Sequence, residues 1–362
     1  MLLEDAERSN PTQPIATNAS TFNRGLRTLR ADMDTIQEAL DFYQQNYRGV
    51  CAYAVTDADA RKTFLGSAGS AGSRTCRFCG QQSPNATFAM DAHAIPEALG
   101  NKKLFSLHEC DACNRFFGSG IENDFGNWSK PARSLTRRRG KRGVPTLKGS
   151  DGAKWRMEWT GGKFFVTAGA DDQDLPFTAS DDLRTLTFEL KREPHVPMAV
   201  LKTFVKMALT ILPENELPNF REALDWIKNP VHKEDVPLLA PVLMVFTPGH
   251  QPTDTITVGV ICRREHAPQT LPYAFLILVY GNEMYQVAVP SPERDPSPDA
   301  GEPLVLKAFP ASATSDGSDQ LYAIDLSDTE VVRDAKIIST LQFENAMRSE
   351  PEAPFSDLPR EP

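Results

Sequence analysis

The sequence predicts an α+β protein in three parts: an N-terminal helix, a small metal-clamped module, and a separate C-terminal α+β domain. Three observations carry this. Phe22, Leu26, Leu29, Met33, Ile36, Leu40, Tyr43 and Tyr47 recur at alternating spacings of four and three, which lines one face of a helix. Two C-x2-C pairs, Cys76/Cys79 and Cys110/Cys113, stand 30 residues apart. From Trp155 onward, short alternating apolar runs and two helical stretches describe a mixed fold.

Composition bounds the class. A length of 362 residues points to two domains more than to one. The 40% hydrophobic and 24% charged content is that of a soluble globular protein. No apolar run approaches the roughly 18 to 20 residues of a membrane helix, and residues 1–20 lack the apolar core of a signal peptide. The expectation is therefore a cytoplasmic protein without a membrane partner. In that compartment, paired cysteines favour metal over disulfides; Cys51 and Cys262 are isolated. A net charge of -9 argues against polyanion binding by the whole surface and leaves a local basic groove open.

Taken in order, residues 1–20 are expected to be disordered. Residues 21–73 form the helix, 22–47, then a short strand and a Gly/Ser/Ala linker. The helix is either a homodimerisation element or a helix docked on its own domain. The linker, GSAGSAGS over 66–73, lets it move relative to the module, 74–150. The module ends in a basic run with no acid over 129–148: Lys130, Arg133, Arg137, Arg138, Arg139, Lys141, Arg142 and Lys148. A charge run is often only a solvated face; following the candidate site in an acidic protein, this one points to phosphate binding through Arg133, Arg137, Arg138, Arg139, Lys141 and Arg142.

The C-terminal domain spans 151–348. A hairpin at 155–166 turns at Gly161-Gly162, and 186–190 alternates as a strand. Pro197 opens a helix with Met198, Leu201, Val205, Ala208 and Leu212 on one face, and 219–228 forms a second. Strands follow at 238–247, 255–263, 272–280 and 284–289, then a loop at 290–303, a strand and helix near 320–347, and a disordered acidic tail at 349–362. The domain shows no paired acids, phosphate loop or nucleophile signature, which leaves it a sensor, partner-binding or substrate-binding role.

Chemistry concentrates in the module. Cys76, Cys79, Cys110 and Cys113 suit a tetrahedral Zn2+ site, structural because four sulfurs leave no position for water. His93 lies between the knuckles, and a neutral imidazole there can take a proton from water near pH 7. Asn114 offers a hard amide oxygen suited to Mg2+ or Mn2+; the alternative is a helix N-cap or first-turn residue. Glu122 and Asp124 are further acids close by, Glu122 on the Asn114 face if one helix continues unbroken. His108 is expected as a strand residue near the zinc.

Together, C-x2-C, A-H-A-I-P-E-A-L-G-N, E-C-D-A-C-N, F-G and I-E-N resemble the zinc-stabilised HNH endonucleases over about residues 74–148. The resemblance implies a ββα-metal fold, a hairpin carrying the base and a helix carrying a metal ligand. It makes His93 the general base, Asn114 the ligand of a catalytic Mg2+ or Mn2+, and Glu122 a further catalytic residue. The substrate it implies is DNA, with the C-terminal domain as regulator and a place in anti-phage defence beside partner proteins. One departure stands out. Ala92 occupies the position where many members have Asp, Glu or His as second metal ligand; Asp91 or Glu122 substitutes, or Asn114 is the sole protein ligand. Asn101 is the candidate for the middle residue of the family's name. The rival expectation is a non-catalytic, zinc-stabilised nucleic-acid-binding module.

Overall fold

The computed structural model describes residues 2–4, 26–28, 36–56, 58–59, 61–66, 74–149, 154–168, 175–232, 240–249, 251–295, 305–310, 319–343 and 345–347. Its centre is a seven-stranded antiparallel sheet. The strands run Leu26–Thr28, Gln320–Ile324, Val242–Phe246, Glu283–Val289, Ala274–Tyr280, Thr255–Arg263 and Tyr47–Thr56 across the sheet. Ala274–Tyr280 and Glu283–Val289, the latter with Glu283 and Gln286 included, are largely buried because both sheet faces are covered. Helix α1 (Ile36–Asn46), through Tyr43, and the segment around Phe309 cover one face.

The other face receives α4 (Pro197–Ile211). All fifteen of its residues are buried, Lys202 and Lys206 included, where the sequence suggested a single apolar face. The sheet lies under it, α3 (Ile121–Leu135) over it, and α5 (Arg221–Lys228) beside it, so no side meets water. Phe204 of α4 meets Phe125 of α3 and Tyr285 of the sheet at ring-centroid distances of 5.2 and 5.3 Å.

The C-terminal region shares both sheets and core with the rest of the chain: Leu26–Thr28 and Tyr47–Thr56 flank the central sheet, and Leu147–Lys148 of the module edges a second one. One apolar cluster runs from Cys76, Phe78 and Phe117 of the module through α4 to Val258 and Leu276. The module also closes both ends of α4. Asp124 Oδ1 accepts the Val196 N–H at 2.7 Å, at the N-terminal boundary. The Arg77 guanidinium donates to the carbonyls of Leu209, Thr210 and Leu212 at 2.6, 2.8 and 2.8 Å. These are terminal groups that no intrahelical partner satisfies, and each cap matches the sign of the helix dipole.

A smaller unit packs a five-stranded sheet, which holds the hairpin Arg156–Thr160/Lys163–Thr167, against the three strands Phe177–Ala179, Thr185–Lys191 and Lys336–Gln342. Met157, Phe164, Phe188 and Phe343 fill the space between them. Gly161 and Gly162 turn the hairpin at φ 58° and 84°, which only glycine adopts freely.

Five expectations change. The 22–47 helix is instead a strand at Leu26–Thr28 and a helix of eleven residues, Ile36–Asn46. Its dimer seam does not survive, because Tyr43 and Tyr47 pack inside the chain against Phe309 and Phe275. Nor is this segment free of the module. Tyr47–Thr56 pairs with the central sheet while Thr63–Leu65 pairs with the module strand Leu104–Ser106; residues 67–73 lie outside the described residues. Leu2–Glu4, inside the supposedly disordered N-terminus, is a strand between Lys163–Thr167 and Asn345–Met347, supplying backbone partners to an otherwise open edge. The helix expected before 347 is the strand Lys336–Gln342, where the β-branched residues Ile337, Ile338 and Thr340 suit pairing with Thr185–Lys191. The tail at 349–362 lies outside the described residues. No helix among those described is long and apolar enough to cross a membrane.

Candidate functional site

The four knuckle sulfurs all lie within 4.8 Å of one another. A tetrahedron with Zn–S bonds of about 2.3 Å places its sulfurs roughly 3.8 Å apart; Cys79 and Cys110 Sγ are 3.7 Å apart. The donor set therefore fits zinc. The first knuckle turns tightly, with the Gly80 N–H donating to the Cys76 carbonyl at 2.8 Å and Gly80 at φ 72°. The second opens α2 (Asp111–Ser119), with Cys110 at its N-cap.

His93 sits on the two-residue strand Ala92–His93, paired with Leu104–Ser106. Two buried polar residues hold this hairpin. The Asn101 amide donates to the carbonyls of Ile95 and Leu104 at 2.9 and 2.8 Å and accepts from the backbone N–H groups of Lys103 and Leu104. Asp111 accepts from the Thr87 hydroxyl and from the N–H groups of Ala89 and Met90, tying the approach to His93 onto α2. The His93 ring lies 4.8 Å from the Phe105 ring. Burial lowers its pKa below the ordinary 6.5; Glu97 and Glu122 pull the other way, and Lys206 and Lys141 reinforce the lowering.

A charge cluster lies beside it that composition and spacing did not reveal. Lys206, 1% exposed, places Nζ 2.8 Å from Glu122 Oε1 and 3.0 Å from Glu109 Oε2. The approach to Glu109 is too oblique for a hydrogen bond, which leaves both oxygens of that carboxylate without such a partner. Burial pushes the Glu109 carboxyl up to about 7, against the pull of Lys206. Burial alone would lower the Lys206 pKa; the two carboxylates outweigh it and hold the ammonium charged. Its charge also faces the rings of Phe117 and Phe78 at 5.4 and 5.9 Å. The available signal was the pair Lys202 and Lys206, four residues apart in an otherwise apolar helix: lysines there require partners.

The remaining candidates divide. Asn114 is the fourth residue of α2 rather than its N-cap, and its side-chain amide has no hydrogen-bond partner among the described residues. The helix breaks at Gly120 before α3, so Glu122 does not continue the Asn114 face; Lys206 holds it instead. Asp124 is spent on α4, and exposed Asp91 pairs with Lys62 at 2.7 Å. His108 packs under Gly66, where an added Cβ would lie 1.9 Å from its Nε2, and faces Glu214 at 3.4 Å.

The basic run needs correction. Arg133 and Arg138 are buried and structural. Arg133 donates to the carbonyls of Ala98 and Gly126 at 2.9 Å each. Arg138 donates to Leu99 at 2.7 Å and to Thr253 across the core. Arg137, lying over Trp159, and Arg139, Lys141 and Arg142 remain exposed.

No curated protein and no solved structure matches the chain. Residues 76–129, from the first knuckle cysteine into α3, match the family described as HNH endonuclease, which points to nuclease chemistry on nucleic acid.

Proposed function

We propose that this chain is a metal-dependent endonuclease that hydrolyses DNA phosphodiester bonds, with His93 as general base. The carrying observation is His93 itself, a half-buried imidazole whose lowered pKa keeps it neutral and proton-accepting at pH 7. As it takes a proton from the attacking water, Glu97 and Glu122 stabilise the imidazolium that forms. Lys206 fixes where Glu122 stands. The unpartnered amide oxygen of Asn114 suits a magnesium or manganese ion, which when bound supplies Lewis-acid polarisation of the phosphate. Arg137, Arg139, Lys141 and Arg142 offer charge to the DNA backbone without reading sequence. The C-terminal domain acts as the regulator through α4; the role in anti-phage defence, with partner proteins, rests on the family likeness alone.

The test is plasmid nicking with magnesium by the full chain and by His93→Ala. Equal cleavage by the two rejects the assignment. The second reading, a non-catalytic nucleic-acid-binding module, is favoured by Ala92, a fully buried methyl where many relatives carry a second ligand. It expects DNA binding that survives His93→Ala and no requirement for a divalent ion besides zinc.

A further inference from the structure

The strand Thr63–Leu65 lies ahead of the zinc module, outside the segment that matches the family. It joins the module as a third strand, parallel to Leu104–Ser106, and the register sets Phe64 opposite Phe105. On the other side, His93 is opposite the same Phe105. Residues opposite one another in a sheet share a face, so Phe64, Phe105 and His93 form one row. The rings confirm it. Phe64 stacks on Phe105 at 5.5 Å with 29° between planes, and Phe105 meets His93 at 4.8 Å. Phe105 is buried, whereas Phe64 is 41% exposed.

Cations accompany the row. Lys62 Nζ lies 4.8 Å over the Phe105 ring and 2.7 Å from Asp91, whose charge it neutralises. Next to Asp91, exposed Met90 meets Arg115 at 3.9 Å. The hydrophobic effect gives no reason to leave Phe64 and Met90 in water beside basic groups. Aromatic surfaces interleaved with basic groups match single-stranded nucleic acid, whose bases stack while its phosphates meet the charges. Duplex DNA does not suit Phe64, because each base there already has both faces covered by its neighbours.

We infer that Phe64, backed by Phe105 and flanked by Lys62, is a base-stacking subsite that holds an unpaired nucleotide next to the phosphate facing His93. The inference rests on the nuclease reading and adds a substrate class: single-stranded, or locally opened, DNA at the cut. Phe64→Ala then removes the exposed ring while leaving the backbone pairing of Thr63–Leu65 with Leu104–Ser106 available.

The experiment measures binding of single-stranded and duplex oligonucleotides, each carrying one 2-aminopurine at successive positions, to the His93→Ala chain with and without Phe64→Ala. Stacking on Phe64 quenches 2-aminopurine at one position. Phe64→Ala is expected to abolish that quench and weaken single-strand binding about 5- to 150-fold, the range of one lost base stack, with duplex binding unchanged. Phe64→Trp restores both. Unchanged single-strand affinity on Phe64→Ala, or equal loss for duplex and single strand, overturns the subsite while wild-type nicking leaves the nuclease reading standing. Absence of both binding and nicking by the wild-type chain overturns the two together.

Discussion

Lys206 and Glu122 form an ion pair at 2.8 Å although they belong to opposite halves of the protein, one on the central helix of the sheet domain and the other in the matched nuclease segment. With Glu109 at 3.0 Å, a single ammonium answers two carboxylates. Removing that ammonium leaves the buried Glu109 and the partly buried Glu122 uncompensated. Lys206→Met should therefore lower the unfolding free energy by about 3 to 5 kcal/mol in urea denaturation. Adding Glu109→Gln and Glu122→Gln should recover much of the loss. A Lys206→Met protein as stable as wild type would contradict the buried pairing.

Zinc is expected at one ion per chain by elemental analysis. Cys79 is exposed, so Cys79→Ser removes a ligand with little change in packing. The variant should lose zinc and melt well below wild type, since structural zinc contributes on the order of 10 kcal/mol in isolated fingers. Chelation of the wild-type protein should reproduce the shift. Retention of one tightly held zinc by Cys79→Ser would count against the four-sulfur site.

The pH profile follows from the lowered pKa of His93. A general base must be unprotonated, so the acidic limb of the cleavage rate should lie below pH 6.5 rather than at it. The same shift has a sign in stability. Below pH 6.5 the unfolded chain takes up this proton before the folded one does, so His93 makes the fold lose stability on acidification. His93→Gln should remove that component of the pH dependence of unfolding, and an acidic limb above 6.5 would speak against His93 as the base.

The basic run should separate into two behaviours. Arg133→Ala and Arg138→Ala break bonds from buried guanidinium groups to backbone carbonyls and are expected to destabilise by roughly 1 to 3 kcal/mol each. Arg139→Ala, Lys141→Ala and Arg142→Ala should leave stability within about 0.5 kcal/mol. Each should instead reduce the slope of log affinity against log salt by about 1 if its charge meets a phosphate. Identical salt slopes for wild type and the triple variant would remove these residues from the DNA contact.

Much of this site was legible because its chemistry is local. The cysteine spacing fixes the clamp, and His93 stands where the hairpin must carry it. Patterns also located the sheet strands at 255–263 and 284–289 closely. What escaped depends on sequence separation. Nothing near Glu122 announces a lysine 84 residues away, and Arg133 and Arg138 look like surface charge until the carbonyls of Ala98 and Leu99 are brought to them. The 3.5-residue repeat over 22–47 misled because Leu26 belongs to a strand while Tyr43 and Tyr47 pack around the helix end into the sheet. A period records which residues are apolar, not which partner covers them.

The caps on α4 also set its tolerance to insertion and deletion. Fifteen residues at about 1.5 Å each make a rod of roughly 22 Å, with Asp124 fixed at one end and Arg77 at the other. One residue inserted ahead of Lys206 would lengthen the rod beyond its two anchors and turn the ammonium through about 100°. It would then no longer face Glu109 and Glu122. α4 is therefore a gauge block whose length and phase must be preserved for Asp124, Arg77 and Lys206 to keep their partners.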